Sequence, residues 1–334
     1  MMNNGVSTVI PLNQGSLFRK LGLWTIGAVY FLILVGGIVR ATGAGMGCPD
    51  WPKCFGTWVP PTDVSQLPAN YQEIFGAKLK GEVVFNVVKT WTEYINRLIG
   101  VLIGIFIFAT LLASTSYWKK DRVIFWLSLI SFLLVGFQGW LGSKVVSTEL
   151  LPVMVTLHML LAIVIVFILL YAVARSYDSV VTVEKISDKS SLNIWLIAII
   201  ILSLVQVLLG TQVRESVDIV SKMMGESLRS EWVDNLGIKF KIHRSYSIII
   251  VLIHLYFAYA IRKNSASKGI INKYTNWLLG LIFIEILSGI IMAYFAIPSI
   301  AQPVHLTLAT IALGLQFVML LFLNKDKVFQ NSSA

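Results

Sequence analysis

Glu93-Tyr94-Ile95-Asn96-Arg97 heads one apolar stretch of this chain, and Ile242-His243-Arg244 heads another. Asn96-Arg97 and His243-Arg244 lie 147 residues apart, and His158 and His305 repeat that step (96 to 243, 158 to 305). Within each half the two positions are 62 residues apart (96 to 158, 243 to 305). A duplicated unit accounts for this register, with histidine or its substitute at four matching points. Neutral imidazole is the commonest protein ligand for a metal or heme iron. One of the four positions has become asparagine, and that asymmetry bears on function.

The surrounding composition names the solvent. Of 334 residues 56% are hydrophobic and 13% charged, and the mean hydropathy is +0.77. That excludes an ordinary soluble domain and fits a polytopic membrane protein. Spanning about 30 Å of hydrocarbon takes roughly 20 residues. Eight stretches qualify, near 20–40, 94–116, 123–141, 153–174, 192–213, 243–262, 275–296 and 303–323. All are expected to be helices, because an open sheet edge cannot be satisfied in lipid. The first follows Arg19-Lys20 like a signal peptide, but its apolar run, 21–39, is longer than the usual core of one. It is read as a retained helix.

The net charge of +10 invites a nucleic-acid reading. Its distribution does not. Arg19, Lys20, Lys119, Lys120, Arg122, Arg175, Lys185, Lys189, Arg262, Lys263, Lys268, Lys273, Lys325 and Lys327 all fall on one side of the spans. The positive-inside rule then puts both termini in the cytoplasm of a cell inner membrane, with no nucleic-acid partner implied. The division expected is a cytoplasmic segment 1–19, an N-terminal four-helix bundle 20–174 with an outer loop 41–93, and a linker 175–191. A C-terminal four-helix bundle 192–323 and a tail 324–334 follow. Cys48 and Cys54 lie in the first outer loop, where an oxidising compartment permits a disulfide. No further cysteine or nearby histidine completes a zinc site there.

Gly36-Gly-Ile-Val-Arg40 and Gly210-Thr-Gln-Val-Arg214 end the first and fifth spans. Their larger offset, 174, puts an extra 27 residues in the first outer loop. Phe137-Gln-Gly139 is paired with Leu287-Ser-Gly289 in the third and seventh spans. With four helices per unit the two halves share one orientation, a parallel tandem repeat; transporters more often use inverted ones. Asn96, His158, His243 and His305 then fall in or just before the first turns of four inward-running helices, at one depth near the outer face. Two imidazoles pointing inward from facing helices can hold one heme.

Each signal has a plainer alternative. His243 and His305 could be buried histidines bonded to backbone carbonyls, but the repeated pair at one depth favours bis-histidine ligation. His158 faces Asn96, a poor ligand, so a heme there is expected to be held by His158 alone. Glu93 shares a helix face with Asn96 and its counterpart is Phe240. A carboxylate there can serve as acid or base, or it can simply favour a helix N-terminus, and spacing does not choose. Arg40, Arg97, Arg214 and Arg244 are candidates for heme propionates, with interfacial snorkelling as the alternative. His254 is read as a core or pathway histidine, and Trp51, Trp58 and Trp91 as an interfacial aromatic belt. Gly43-Ala-Gly45-Met-Gly47 follows a membrane helix rather than a strand and is discounted as a dinucleotide motif.

The ordered set Gly36-Gly-Ile-Val-Arg40, Cys48–Cys54, Glu93-Tyr-Ile-Asn96-Arg97, His158, Ile242-His243-Arg244 and His305 resembles the heme A synthase family. The resemblance implies heme b as cofactor on His243 and His305, and heme o as substrate facing His158. It implies oxidation of a heme o methyl group to formyl by successive hydroxylations. Glu93 matches the family's essential glutamate and Cys48 and Cys54 its outer-loop pair. Implied partners are membrane lipid, the heme O synthase that supplies substrate, cytochrome oxidase assembly factors and an electron donor; homo-oligomerisation stays open. The chain departs from the family pattern at Asn96, usually histidine, and loop 214–242 lacks a second cysteine pair. The rival readings are a non-catalytic diheme electron carrier and a heme-binding delivery or assembly protein.

Overall fold

A computed structural model describes residues 15–76, 84–265 and 269–329. Lys268, residues 1–14 of the expected segment 1–19 and residues 330–334 of the expected tail lie outside the described residues. The helices are α1 (Ser16–Ala41), α2 (Tyr71–Gly76), α3 (Val87–Ser114), α4 (Arg122–Ser147) and α5 (Pro152–Ser176). Then come α6 (Lys189–Met224), α7 (Gly237–Asn264), α8 (Ile270–Tyr294), α9 (Ala301–Leu323) and α10 (Lys325–Val328). All but α2 and α10 are long and apolar enough to span a membrane, so the chain is an all-α, multi-pass membrane protein. Among the described residues the only β pairing is two isolated bridges.

The helix ends carry local signals. Asn86 Oδ1 accepts from the Lys89 N–H (3.0 Å), Asp121 from Val123 (3.2 Å) and Asp188 from Ser191 (3.2 Å). These side chains satisfy first-turn N–H groups that have no partner within the helix. Pro152 opens α5, where its missing N–H costs nothing. Several helices outrun the apolar windows. α3 starts at Val87 rather than 94, α7 at Gly237 rather than 243, and α6 runs to Met224 rather than 213. Asn96 and His243 therefore sit beyond the first turn, and much of the expected loop 214–242 is helix. The added turns are amphipathic: Val217 and Val220 of α6 pack on Trp232, Leu236 and Ile297. A hydropathy window stops at their polar residues, whereas the backbone does not.

The spans close two rings. α1 packs on α3, α3 on α4, α4 on α5 and α5 on α1, while α6, α7, α8 and α9 repeat the pattern. Ile26, Val29, Ile103, Ile107, Ile124 and Leu169 fill the first ring, and Leu196, Ile199, Phe257, Ile261, Leu278 and Leu313 belong to the core of the second. α1 and α5 meet α9, and α5 meets α6; Phe167 and Phe317 stack across this seam at 4.5 Å. Trp24, Leu133, Ile194 and Phe283 stand outward and exposed, which suits lipid contact.

Candidate functional site

The loop that carries Cys48 and Cys54 is built onto the first turns of α3. Glu93 is buried at 3% exposure; its Oε2 accepts from the Cys48 N–H (2.6 Å) and its Oε1 from Arg97 Nη2 (2.5 Å). Arg97 also donates to the carbonyls of Asp50 (2.7 Å), Lys53 (3.0 Å) and Cys48 (3.3 Å). Thr90 Oγ1 donates to the Gly47 carbonyl (2.9 Å), Trp91 Nε1 to Pro61 (3.2 Å) and Tyr94 Oη to Trp58 (2.6 Å). A Cβ at Gly47 would lie 2.4 Å from the Lys89 carbonyl oxygen, so only glycine lets the loop come this close. Cys48 and Cys54 form a disulfide, both sulfurs buried beneath Phe55 and Phe75. Glu93 and Arg97 thus serve the loop. Trp91, expected in an aromatic belt, is a loop anchor.

Below the loop, each of the four repeated positions faces a glycine on the neighbouring helix. A Cβ at Gly36 would lie 3.9 Å from Asn96 Oδ1, and one at Gly142 3.3 Å from His158 Cε1. The corresponding distances are 3.4 Å for Gly210 and His243 and 3.6 Å for Gly289 and His305. The glycine that matches Gly289 is therefore Gly142, 147 residues earlier, and not Gly139, which meets nothing within 4 Å. With that correction histidines and glycines of the third and seventh spans keep one offset.

His243 on α7 and His305 on α9 stand at opposite corners of the second ring, their ring centres 6.3 Å apart and their planes at 74°. Two imidazoles on either side of one iron, each with a metal–nitrogen bond of about 2 Å, have ring centres roughly 6 Å apart. The pair fits a single iron between them. In the first ring Asn96 on α3 and His158 on α5 occupy the same corners. Asn96 Oδ1, His158 Nδ1 and His243 Nδ1 are buried and have no hydrogen-bond partner among the described residues. Gln138 and Gln206 donate to the backbone carbonyls of His158 (2.8 Å) and His243 (3.1 Å), holding those turns in place.

The other expected residues are placed as follows. Arg40 (3.1 Å) and Arg214 (2.6 Å) both pair with Asp218, joining α1 to α6, and Arg214 also donates to Gln302. Arg244 is exposed, with its guanidinium 5.6 Å from the Phe240 ring centre. His254 is a core residue: Nδ1 bonds the Ile250 carbonyl (2.6 Å) and Nε2 meets Gln316 Nε2 (3.0 Å), which donates to Ser203 (3.1 Å). The equivalent layer of the first ring is Val29, Ile107 and Leu169, all apolar and buried. Sequence reasoning assigned no site role to Asp218 or to Glu285. Its place one turn before Ser288 was the available signal.

A family model described as "Cytochrome oxidase assembly protein" (COX15-CtaA) matches residues 19–317, from α1 into α9. The chain belongs to the COX15-CtaA family. Members similar to it include proteins named heme A synthase from Shewanella oneidensis (28% identical over 210 residues) and Pelagibacter ubique (25% over 262). One from Bacillus cereus is 26% identical over 161 residues. The matches cover 62%, 72% and 48% of this chain and 60%, 72% and 44% of those proteins. The chain thus spans under two thirds of the first and third of these relatives.

Proposed function

We propose that this COX15-CtaA member is a heme A synthase, an oxidoreductase that converts a methyl group of heme o to a formyl group for cytochrome oxidase. The observation that carries the reading is His243 facing His305 at 6.3 Å across one ring, while the matching corners of the other ring hold His158 and Asn96. A matched histidine pair suits a resident heme b, and a single histidine suits a substrate that must leave. The two closed helix rings support a division into an N-terminal substrate half (20–174) and a C-terminal heme b half (192–323). The basic residues at one end support cytoplasmic termini, with both sites towards the outer face.

When bound, the iron centres supply the redox chemistry; the protein's residues bind and position. His158 holds heme o on one face, and Asn96 presents a buried, unpartnered amide oxygen on the opposite corner. Each Glu93 oxygen accepts one hydrogen bond, from Cys48 and from Arg97, which supports a role in fixing the Cys48–Cys54 loop over the substrate half. Arg40, Arg214 and Arg244 line the outer face at the propionate end. Arg97 is committed to the loop.

The test is expression in a host that makes heme o and lacks its own heme A synthase. Heme A extracted from cells carrying this chain, and not from cells carrying His158→Ala, supports the reading. Heme b and heme o without heme A overturns it in favour of a heme-binding delivery protein.

A further inference from the structure

The candidate iron ligands differ in what stands behind the ring. Nδ1 of His158 and of His243 has no hydrogen-bond partner among the described residues. His305 is backed twice: its Nδ1 lies 2.7 Å from Ser288 Oγ and 3.2 Å from Glu285 Oε1. Ser288 has one hydroxyl hydrogen, and the backbone carbonyl of Glu285, 2.7 Å away on the same helix, can only accept it. Its oxygen is therefore left to accept, and the Glu285 carboxyl oxygen is a second acceptor. The network assigns the proton of His305 to Nδ1. Its lone pair is then on Nε2, the nitrogen free for a metal.

The fold does not require this arrangement. The Gly142–His158 and Gly289–His305 contacts put α4 and α5 in the same relation as α8 and α9. At the positions of Glu285 and Ser288, 147 residues earlier, stand Gln138 and Leu141. Gln138 is used on the His158 backbone carbonyl and Leu141 is a buried apolar side chain. One half thus builds the same helix pair without acceptors for the ring nitrogen. A carboxyl group this far inside a membrane span is costly and calls for a specific use.

We propose that Glu285 and Ser288 are positioning residues for His305 as a ligand of the C-terminal heme, fixing its tautomer and strengthening its donor nitrogen. The inference rests on the heme b reading above. A coordinated imidazole whose other N–H is bonded to a carboxylate or hydroxyl is a more basic ligand. It favours ferric over ferrous iron, so this shell lowers the potential of the C-terminal site. The substrate half, with no such shell, keeps His158 a weaker ligand.

The experiment uses the full chain purified in detergent with its resident heme, read by midpoint potential and by electron paramagnetic resonance. A wild type without low-spin resident heme overturns the heme b reading itself, and this proposal with it. Given that heme, Glu285→Leu with Ser288→Ala raises the midpoint potential and changes the low-spin g values. Glu285→Gln, which keeps an acceptor oxygen beside an intact Ser288, stays closer to wild type. Gln138→Leu leaves the C-terminal heme unchanged. If the double variant fails to accumulate, Ser288→Ala alone decides by a potential shift in the same direction. Potentials and g values equal to wild type in the decisive variant overturn the proposal.

Discussion

Replacing Glu93 with alanine unclamps the Cys48–Cys54 loop, and the structure sets the size of the effect. The carboxylate is 4% exposed and its partner Arg97 14%, so solvent screens the pair little. Alanine leaves the fully buried Cys48 N–H without its acceptor, which costs about 1–3 kcal/mol. It also takes the paired carboxylate from a largely buried guanidinium, a loss of about 3–5 kcal/mol when nothing compensates. Arg97 keeps three loop carbonyls, which places that loss at or below the lower end. A combined cost of about 4 kcal/mol corresponds to a roughly thousandfold rise in the population of the opened loop. Cys48 and Cys54 are both fully buried, so a water-soluble reductant reaches their disulfide through that opening. The assay is the rate of disulfide reduction in membranes, followed by alkylation of the freed thiols. A Glu93→Ala rate within about threefold of wild type would refute the clamp, and with it the reading of Glu93 as the residue that fixes the loop.

Three further outcomes follow from the histidine geometry. His243→Ala removes the resident low-spin heme, seen as loss of its absorbance per protein; an unchanged spectrum would put the C-terminal site elsewhere. Asn96→His, with heme o supplied, moves the N-terminal heme towards a six-coordinate low-spin spectrum, because it restores an imidazole at the corner opposite His158. Gly210→Val lowers heme content more than Gly210→Ala does. A Cβ already lies 3.4 Å from His243 Cε1, and valine adds methyl groups towards the ring. Equal heme content in both would show that Gly210 does not support His243.

Much of the architecture was legible because lipid removes choices. A span must be helical and near a fixed length, so eight apolar runs become eight helices, and a repeated histidine at a repeated offset becomes a repeated corner. The placement of Cys48 and Cys54 in one loop likewise permitted the disulfide that the structure forms. The sequence misled at helix ends, where α6 and α7 continue past the apolar windows as amphipathic turns. It also paired Gly139 with Gly289, since neighbouring glycines are indistinguishable until one of them meets a ring.

Only the tertiary structure decided what the polar groups do. The chain itself carries Glu93, Arg97, Asp218, Glu285 and Ser288 as letters on helix faces, each compatible with solvent or with a partner. In three dimensions Glu93 and Arg97 are taken by the loop, Asp218 by Arg40 and Arg214, and Glu285 and Ser288 by His305. Periodicity and hydropathy act along one helix and are written in sequence. A hydrogen bond between groups 17 or 45 residues apart depends on how helices and loops pack, and no local pattern encodes it.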